Sequence, residues 1–160
     1  MKKSAKWGYG LLFSGALVLT ASASGATQPR NEGSPHAVAG SQEIKSANYI
    51  ISVNQAACKA GAECTLTVKL QAQGAFHLNK EYPHKVVPNS AAGITWTKEA
   101  FGRPSGDFAE TNEKTGVITL KYKAEKAGKT EVTGVFKFAV CSDATCNPSK
   151  EDFKVSLEVK

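Results

Sequence analysis

The sequence predicts an all-β domain, an immunoglobulin-like antiparallel β-sandwich, and three observations carry that expectation. Apolar and polar residues alternate with the period of a half-buried strand in several segments, turn-forming Gly, Pro and Asn punctuate them, and no segment carries a helical apolar stripe. "NYIISVN" is a β-branched run. In "CTLTVKLQ", Cys64, Leu66, Val68 and Leu70 point one way and Thr65, Thr67, Lys69 and Gln71 the other. "GVITLKYKA" repeats the pattern, with Ile118, Leu120 and Tyr122 set against Thr119, Lys121 and Lys123. The last two strands are the clearest: Val132, Phe136, Phe138 and Val140 share one parity, and Phe153, Val155, Leu157 and Val159 share another after a turn. Between these runs Trp96 belongs to a strand, and "FGRPSGDF" reads as a long loop flanked by Phe101 and Phe108, aromatics suited to plugging the end of the core.

The chain divides into three parts. A basic start, "MKKSAK", followed by the apolar run "WGYGLLFSGALVLTASASGA" reads as a secretory signal over residues 1–26, with small residues offering cleavage after Ala23 or Ala26. The first cysteine is Cys58, far from either cleavage site, so a lipid anchor is disfavoured. The mature chain is expected to be periplasmic or secreted, without a membrane span. Residues 27–46 have Pro, Gly, Ser and charge but no apolar periodicity, and read as a flexible tether. Residues 47–160 are enough for one domain with its own core.

The formal charge of +6 is partly the signal's. Removing Lys2, Lys3 and Lys6 leaves 17 basic against 14 acidic side chains, a charge of +3. Both signs are interspersed, which describes a solvated surface and gives no support to a nucleic-acid partner.

Four cysteines in an exported chain are expected to form disulfides, and three pairings are possible. The two local ones, Cys58 with Cys64 and Cys141 with Cys146, are the simplest. Cys64 has the parity of Leu66 and Val68, so it points inward, and a bridge to Cys58 would be a buried staple contributing on the order of 2 kcal/mol. Cys141 has the opposite parity to Phe138 and Val140 and is expected to emerge toward solvent at a hairpin tip. There a thiolate could reach the sulfur–sulfur axis, with Lys137 or Lys150 to stabilise it and Asp143 to turn the chain. Spacing alone leaves a staple and an exchanging disulfide equally open.

Two stretches carry more information. "GAFHLNKEYPHKVVPNSAAGITW" (74–96) and "GVFKFAVCSDATCNPSKEDFKVSLEV" (134–159) together resemble the N-terminal periplasmic domain of thiol:disulfide interchange protein DsbD and the DsbD-like family, over about residues 47–160. The resemblance implies an immunoglobulin-like fold whose redox pair, Cys141 and Cys146, passes electrons between a membrane electron conduit and periplasmic thioredoxin-like or other thiol–disulfide proteins. It implies that Cys146 is the sulfur that meets the partner, that Phe101 or Phe108 is an aromatic capping the disulfide, and that Phe76 and His77 lie on the strand beneath the active turn. The chain carries no thioredoxin-like CxxC motif, so its electrons would come from another protein.

Other chemistries find little footing. His36, His77 and His84 fit no metal-site spacing, the one Met is the initiator, and no metal or cofactor is expected; the histidines read as surface or strand-end residues. No nucleophile elbow or phosphate-binding loop is present. Two function classes remain: an electron carrier exchanging thiol and disulfide through Cys141 and Cys146, with no small-molecule enzyme chemistry, and a secreted binding module whose two disulfides are both structural.

Overall fold

The computed structural model describes residues 40–160; the expected signal and the tether up to residue 39 lie outside the described residues. Eleven strands are described: β1 (Ser41–Lys45), β2 (Tyr49–Gln55), β3 (Glu63–Ala72), β4 (His77–Leu78), β5 (Lys85–Pro88), β6 (Ile94–Trp96), β7 (Phe101–Gly102), β8 (Phe108–Asn112), β9 (Thr115–Ala124), β10 (Gly128–Cys141) and β11 (Cys146–Val159). The long ones fall where period-two alternation predicts them. All named strand pairings are antiparallel. One sheet has the order β1-β2-β3-β9-β6, with β8 also on β9; the other has β11-β10-β5-β7, with β4 also on β10. Two antiparallel sheets sharing one apolar interior make an immunoglobulin-like sandwich.

The interior is built by the predicted parities. Ile51, Val53, Leu66, Val68, Leu70, Ile118, Leu120 and Tyr122 of the first sheet meet Phe136, Phe138, Val155 and Leu157 of the second, each at most 2% exposed. Burying one such aliphatic or aromatic side chain contributes about 1.5–3 kcal/mol, so these twelve dominate the fold's stability. Aromatic contacts cross between the sheets: Tyr49 meets Phe138 edge-on at 4.7 Å, and Trp96 meets Phe101 at 6.4 Å.

Two expectations are corrected here. Residues 41–45, read as the end of a tether, form β1 and pair with Ile50–Asn54 of β2. The pattern is weak because only Ile44 packs on the core, and the strand is held instead by backbone pairing and by Gln42, whose Oε1 accepts from Lys154 N–H. "FGRPSGDF" is likewise more ordered than a long loop. Phe101 and Gly102 pair with Val86 and Lys85, a single 3-10 turn covers Arg103–Ser105, and Phe108 opens β8. A Cβ on Gly102 would stand 2.2 Å from the His84 carbonyl oxygen and 2.7 Å from Lys85 Cα, so only glycine lets this backbone lie so close.

Cys58 and Cys64 are bonded, as the local pairing predicts. Both are 3% exposed, and the bridge sits where the loop before β3 zips onto the end of β11 and the residue after it: Cys58 forms a β-bridge with Val159, Lys160 N–H donates to Cys58 O, and Ala60 N–H to Lys160 O. Through Cys58 it fastens the end of β11 to the start of β3 in the other sheet, a position that suits a staple.

Candidate functional site

β10 and β11 stay in register to their last pair, Cys141 opposite Cys146, and these two cysteines are disulfide-bonded with Cα atoms 4.0 Å apart. Between them "SDAT" turns the chain, closed by Ser142 N–H to Thr145 O. Asp143 was expected to make the turn through its side chain, but the hydroxyl of Ser142 does so, accepting from the N–H groups of Ala144 and Thr145. Lys137 and Lys150 face each other four residues back along the ladder, roughly 13 Å from the sulfurs at strand rise. They are too distant to stabilise a thiolate, and the lysine near the disulfide is Lys80.

The exposure of the pair is asymmetric, and not as parity predicts. Cys146 is exposed, whereas Cys141 is 4% exposed, so the expectation that Cys141 emerges toward solvent is overturned. The outward parity is real, since Cys141 shares its side of β10 with Ala139. Here, however, that side is not open: β4 pairs alongside with His77 opposite Cys141, and Asn79, whose N–H donates to Ala139 O, sets its side-chain amide against Cys141 Sγ. Ala139 and Cys141 are consequently buried although they leave the strand on the side opposite to core-facing Val140.

The disulfide opens onto a groove of about 590 Å³. His77, Leu78, Asn79 and Lys80 line it from β4 and the residues that follow, Ser142 and Asp143 from the turn, and Glu113 from the β8–β9 connection. One residue that the sequence did not single out touches both sulfurs. Asn79 Nδ2 lies 3.2 Å from Cys141 Sγ and 3.7 Å from Cys146 Sγ, and Asn79 Oδ1 accepts from Glu81 N–H and Tyr82 N–H, each at 2.9 Å.

His77 borders the groove directly opposite Cys141, and Phe76 packs half-buried on the core beside it. Phe101 is 1% exposed in the core and does not line the groove. Phe108 is half-buried and does not line the groove either; its ring lies with Leu78 over Gly116, where a Cβ would stand 2.4 Å from Phe108 Cζ and 3.0 Å from Leu78 Cδ1. Its segment is tied down by Lys98–Asp107 at 2.8 Å and Arg103–Glu110 at 2.9 Å. Neither phenylalanine caps the disulfide in this structure.

His84, read as a surface or strand-end residue, is fully buried. Its ring stacks on Phe108 at 4.9 Å and meets Tyr82 edge-on at 5.5 Å. A carbonyl only accepts, so the 2.8 Å contact between Nε2 and Asn79 O makes Nε2 the protonated nitrogen of the neutral ring; Nδ1 has no partner. Burial holds the His84 pKa below the ordinary value; the Asn79 carbonyl and Glu110 oppose that, and Arg103 adds to it. The consequence is a pH-dependent stability. Below about pH 6.5 the unfolded chain takes a proton that the native ring refuses, so stability falls as pH drops, by up to about 1.4 kcal/mol per pH unit until the native ring titrates. Urea unfolding at several pH values, with His84→Gln beside the native protein, checks this: the variant is expected to lose that slope, and parallel profiles would refute the assignment.

Among the described residues no group of three His, Cys, Asp or Glu side chains is arranged to hold a metal ion, and no helix is long and apolar enough to cross a membrane. Two disulfides are the mark of a chain that matures in an oxidising compartment.

No family model and no curated protein matches the sequence. Among solved structures the chain is similar to the GAE domain of yeast GGA1, at 12% identity and a TM-score of 0.46, over 73% of this chain and 97% of that one. It is also similar to the GAE domain of GGA2p from Saccharomyces cerevisiae, at 6% identity and a TM-score of 0.40, over 72% and 96%. A third is AggA, the major subunit of aggregative adherence fimbriae type I from Escherichia coli, at 5% identity and a TM-score of 0.34, over 74% and 99%. At identities and scores this low, nothing about chemistry transfers from these proteins.

Proposed function

We propose that this chain is a periplasmic thiol–disulfide exchange domain of the DsbD type, an electron carrier that works through Cys141 and Cys146. The observation that carries the reading is the contrast between its two disulfides. Cys58–Cys64 is sealed on both sides, whereas Cys141–Cys146 opens onto a groove with one sulfur-bearing residue exposed and the other buried. Exchange requires a thiolate to approach one sulfur, while a staple gains nothing from access. The resemblance of residues 74–96 and 134–159 to the DsbD-like family supports the same pair.

A donor thiolate attacks Cys146 Sγ; a donor–Cys146 sulfur–sulfur bond forms, the Cys141–Cys146 bond breaks, and its electron pair leaves on Cys141 as a thiolate. The donor's second thiolate then attacks the donor sulfur of the mixed disulfide and releases Cys146. The donor ends as a disulfide and this domain as a dithiol. Delivery runs the other way: Cys146 attacks a substrate disulfide, and Cys141 resolves the adduct by attacking Cys146. The partners are thioredoxin-like or other thiol–disulfide proteins, on one side coupled to a membrane electron conduit.

Equilibration in dithiol buffers of graded potential, followed by alkylation and mass analysis, tests the reading. Cys141–Cys146 is expected to open well above about −300 mV while Cys58–Cys64 stays closed. Should both resist reduction below that potential, both bonds are structural and the chain is a binding module presenting its loops.

A further inference from the structure

We propose that Asn79 is a catalytic residue of the exchange: its side-chain amide stabilises the thiolate that develops on Cys141, making Cys141 the leaving and resolving sulfur. The proposal rests on the exchange reading above and assigns a role to a residue outside the cysteine pair.

The orientation of this amide is fixed by its surroundings. Oδ1 accepts from two successive backbone N–H groups, Glu81 and Tyr82, so a flipped amide would set its own donors against two others. Nδ2 is thereby the end that faces the sulfurs. The backbone is held equally firmly, because Asn79 N–H donates to Ala139 O on the cysteine strand and Asn79 O accepts from Nε2 of buried His84. Four polar groups of one residue are thus engaged, and only the Nδ2 end is aimed at an atom that changes charge.

That change decides where the contact matters. A disulfide sulfur is a weak, neutral acceptor, whereas a thiolate is an anion buried where water reaches it poorly. The same N–H donor therefore interacts more strongly once the bond has opened than before, the condition for lowering a barrier. Nδ2 is nearer Cys141 than Cys146, 3.2 Å against 3.7 Å, so the stabilised product is the one with charge on Cys141. Two acidic residues in the groove, Asp143 and Glu113, oppose a thiolate there; Lys80, His77 and the Asn79 amide are the lining groups that can counter them.

The test measures the Cys141 thiol directly, in reduced protein carrying Cys146→Ser so that a single groove thiol titrates while Cys58–Cys64 remains bonded. Asn79→Asp keeps an oxygen for Glu81 and Tyr82 N–H, but it removes the donor and also adds a negative charge beside the sulfur, so the neutral variant Asn79→Ser decides the test and the aspartate sets its upper limit. Thiolate ultraviolet absorbance against pH is expected to show the Cys141 pKa raised by at least about one unit, a tenfold smaller thiolate fraction near neutrality. Asn79→Ser, whose hydroxyl can still cap the turn but is too short to reach the sulfur, removes the donor without adding charge; it is expected to shift the pKa the same way and carries the measurement. An unchanged pKa in the folded variants overturns the proposal. Failure of the exchange reading is a different result: the Cys141–Cys146 bond of the native protein then resists reduction, whatever the Asn79 variants do to the thiol.

Discussion

Cys141→Ala is expected to accumulate a covalent complex with a thioredoxin-like partner through Cys146, and to lose multiple-turnover exchange. Cys146 stays exposed in this variant and still attacks an incoming disulfide. What is lost is the thiolate that cleaves the adduct. In the native chain that second sulfur is held across one rung of the ladder, Cα to Cα 4.0 Å, and needs no diffusion to find its target. Intramolecular attack in good geometry corresponds to effective concentrations far above any thiol in solution, so resolution should slow by several orders of magnitude, on the order of 10³-fold or more. The reciprocal variant, Cys146→Ala, leaves a cysteine at a position that is 4% exposed and roofed by Asn79. It should form at least about tenfold less adduct, because attack depends on access. Non-reducing electrophoresis and mass analysis after incubation with an oxidised partner separate the two. Equal adduct from both variants would contradict the asymmetry on which the mechanism is built.

The second large effect lies in the core, on the strand that carries the site. Phe138 is fully buried, three residues before Cys141, and its ring joins the sheets by meeting Tyr49 at 4.7 Å while resting against Phe136 at 4.8 Å. Phe138→Ala removes the buried ring and leaves a cavity between two sheets whose backbones are fixed by their ladders, so collapse is limited. The expected loss is about 3–5 kcal/mol. For a domain of ordinary stability, about 5–15 kcal/mol, that is a large share of the whole. With a urea dependence of about 1.5 kcal/mol per molar, the unfolding midpoint should fall by about 2–3 M. Lys137→Ala, one residue away and exposed, should move it little, within about 0.5 kcal/mol. Equal shifts in the two variants would mean that β10 does not present the inward face described.

The alternation of "CTLTVKLQ", "GVITLKYKA" and the last two strands was legible because a strand's period is local: each residue's face follows from its neighbours two away. β1 escaped detection because it buries little and is held by pairing with β2, which its own five residues do not encode. The inward direction of Cys64 was readable for the same reason as the long strands, since it lies on a strand with one wet and one dry face, whereas its pairing with Cys58 was only the simplest of three possibilities. At Cys141 the same rule failed. Parity reports which side of the strand a residue leaves, not whether another segment covers that side, and the cover here comes from His77 to Asn79, more than sixty residues earlier.

Asn79 and His84 show the same division. "NKEYPH" carries a turn signal, an asparagine ahead of a proline, and its side chain does make a local turn. Nothing in those six residues says that the amide's other end meets a sulfur 62 positions away, or that His84 is sealed beneath Phe108's ring. By itself the sequence determined the sandwich, its long strands and the cysteines that end β10 and begin β11, because these depend on short-range periodicity and turn chemistry. Only the tertiary structure decided which cysteine is exposed, which side chain holds the sulfurs and which histidine is dry. Each of those depends on contacts between distant segments, and burial, unlike parity, exists only once the segments have met.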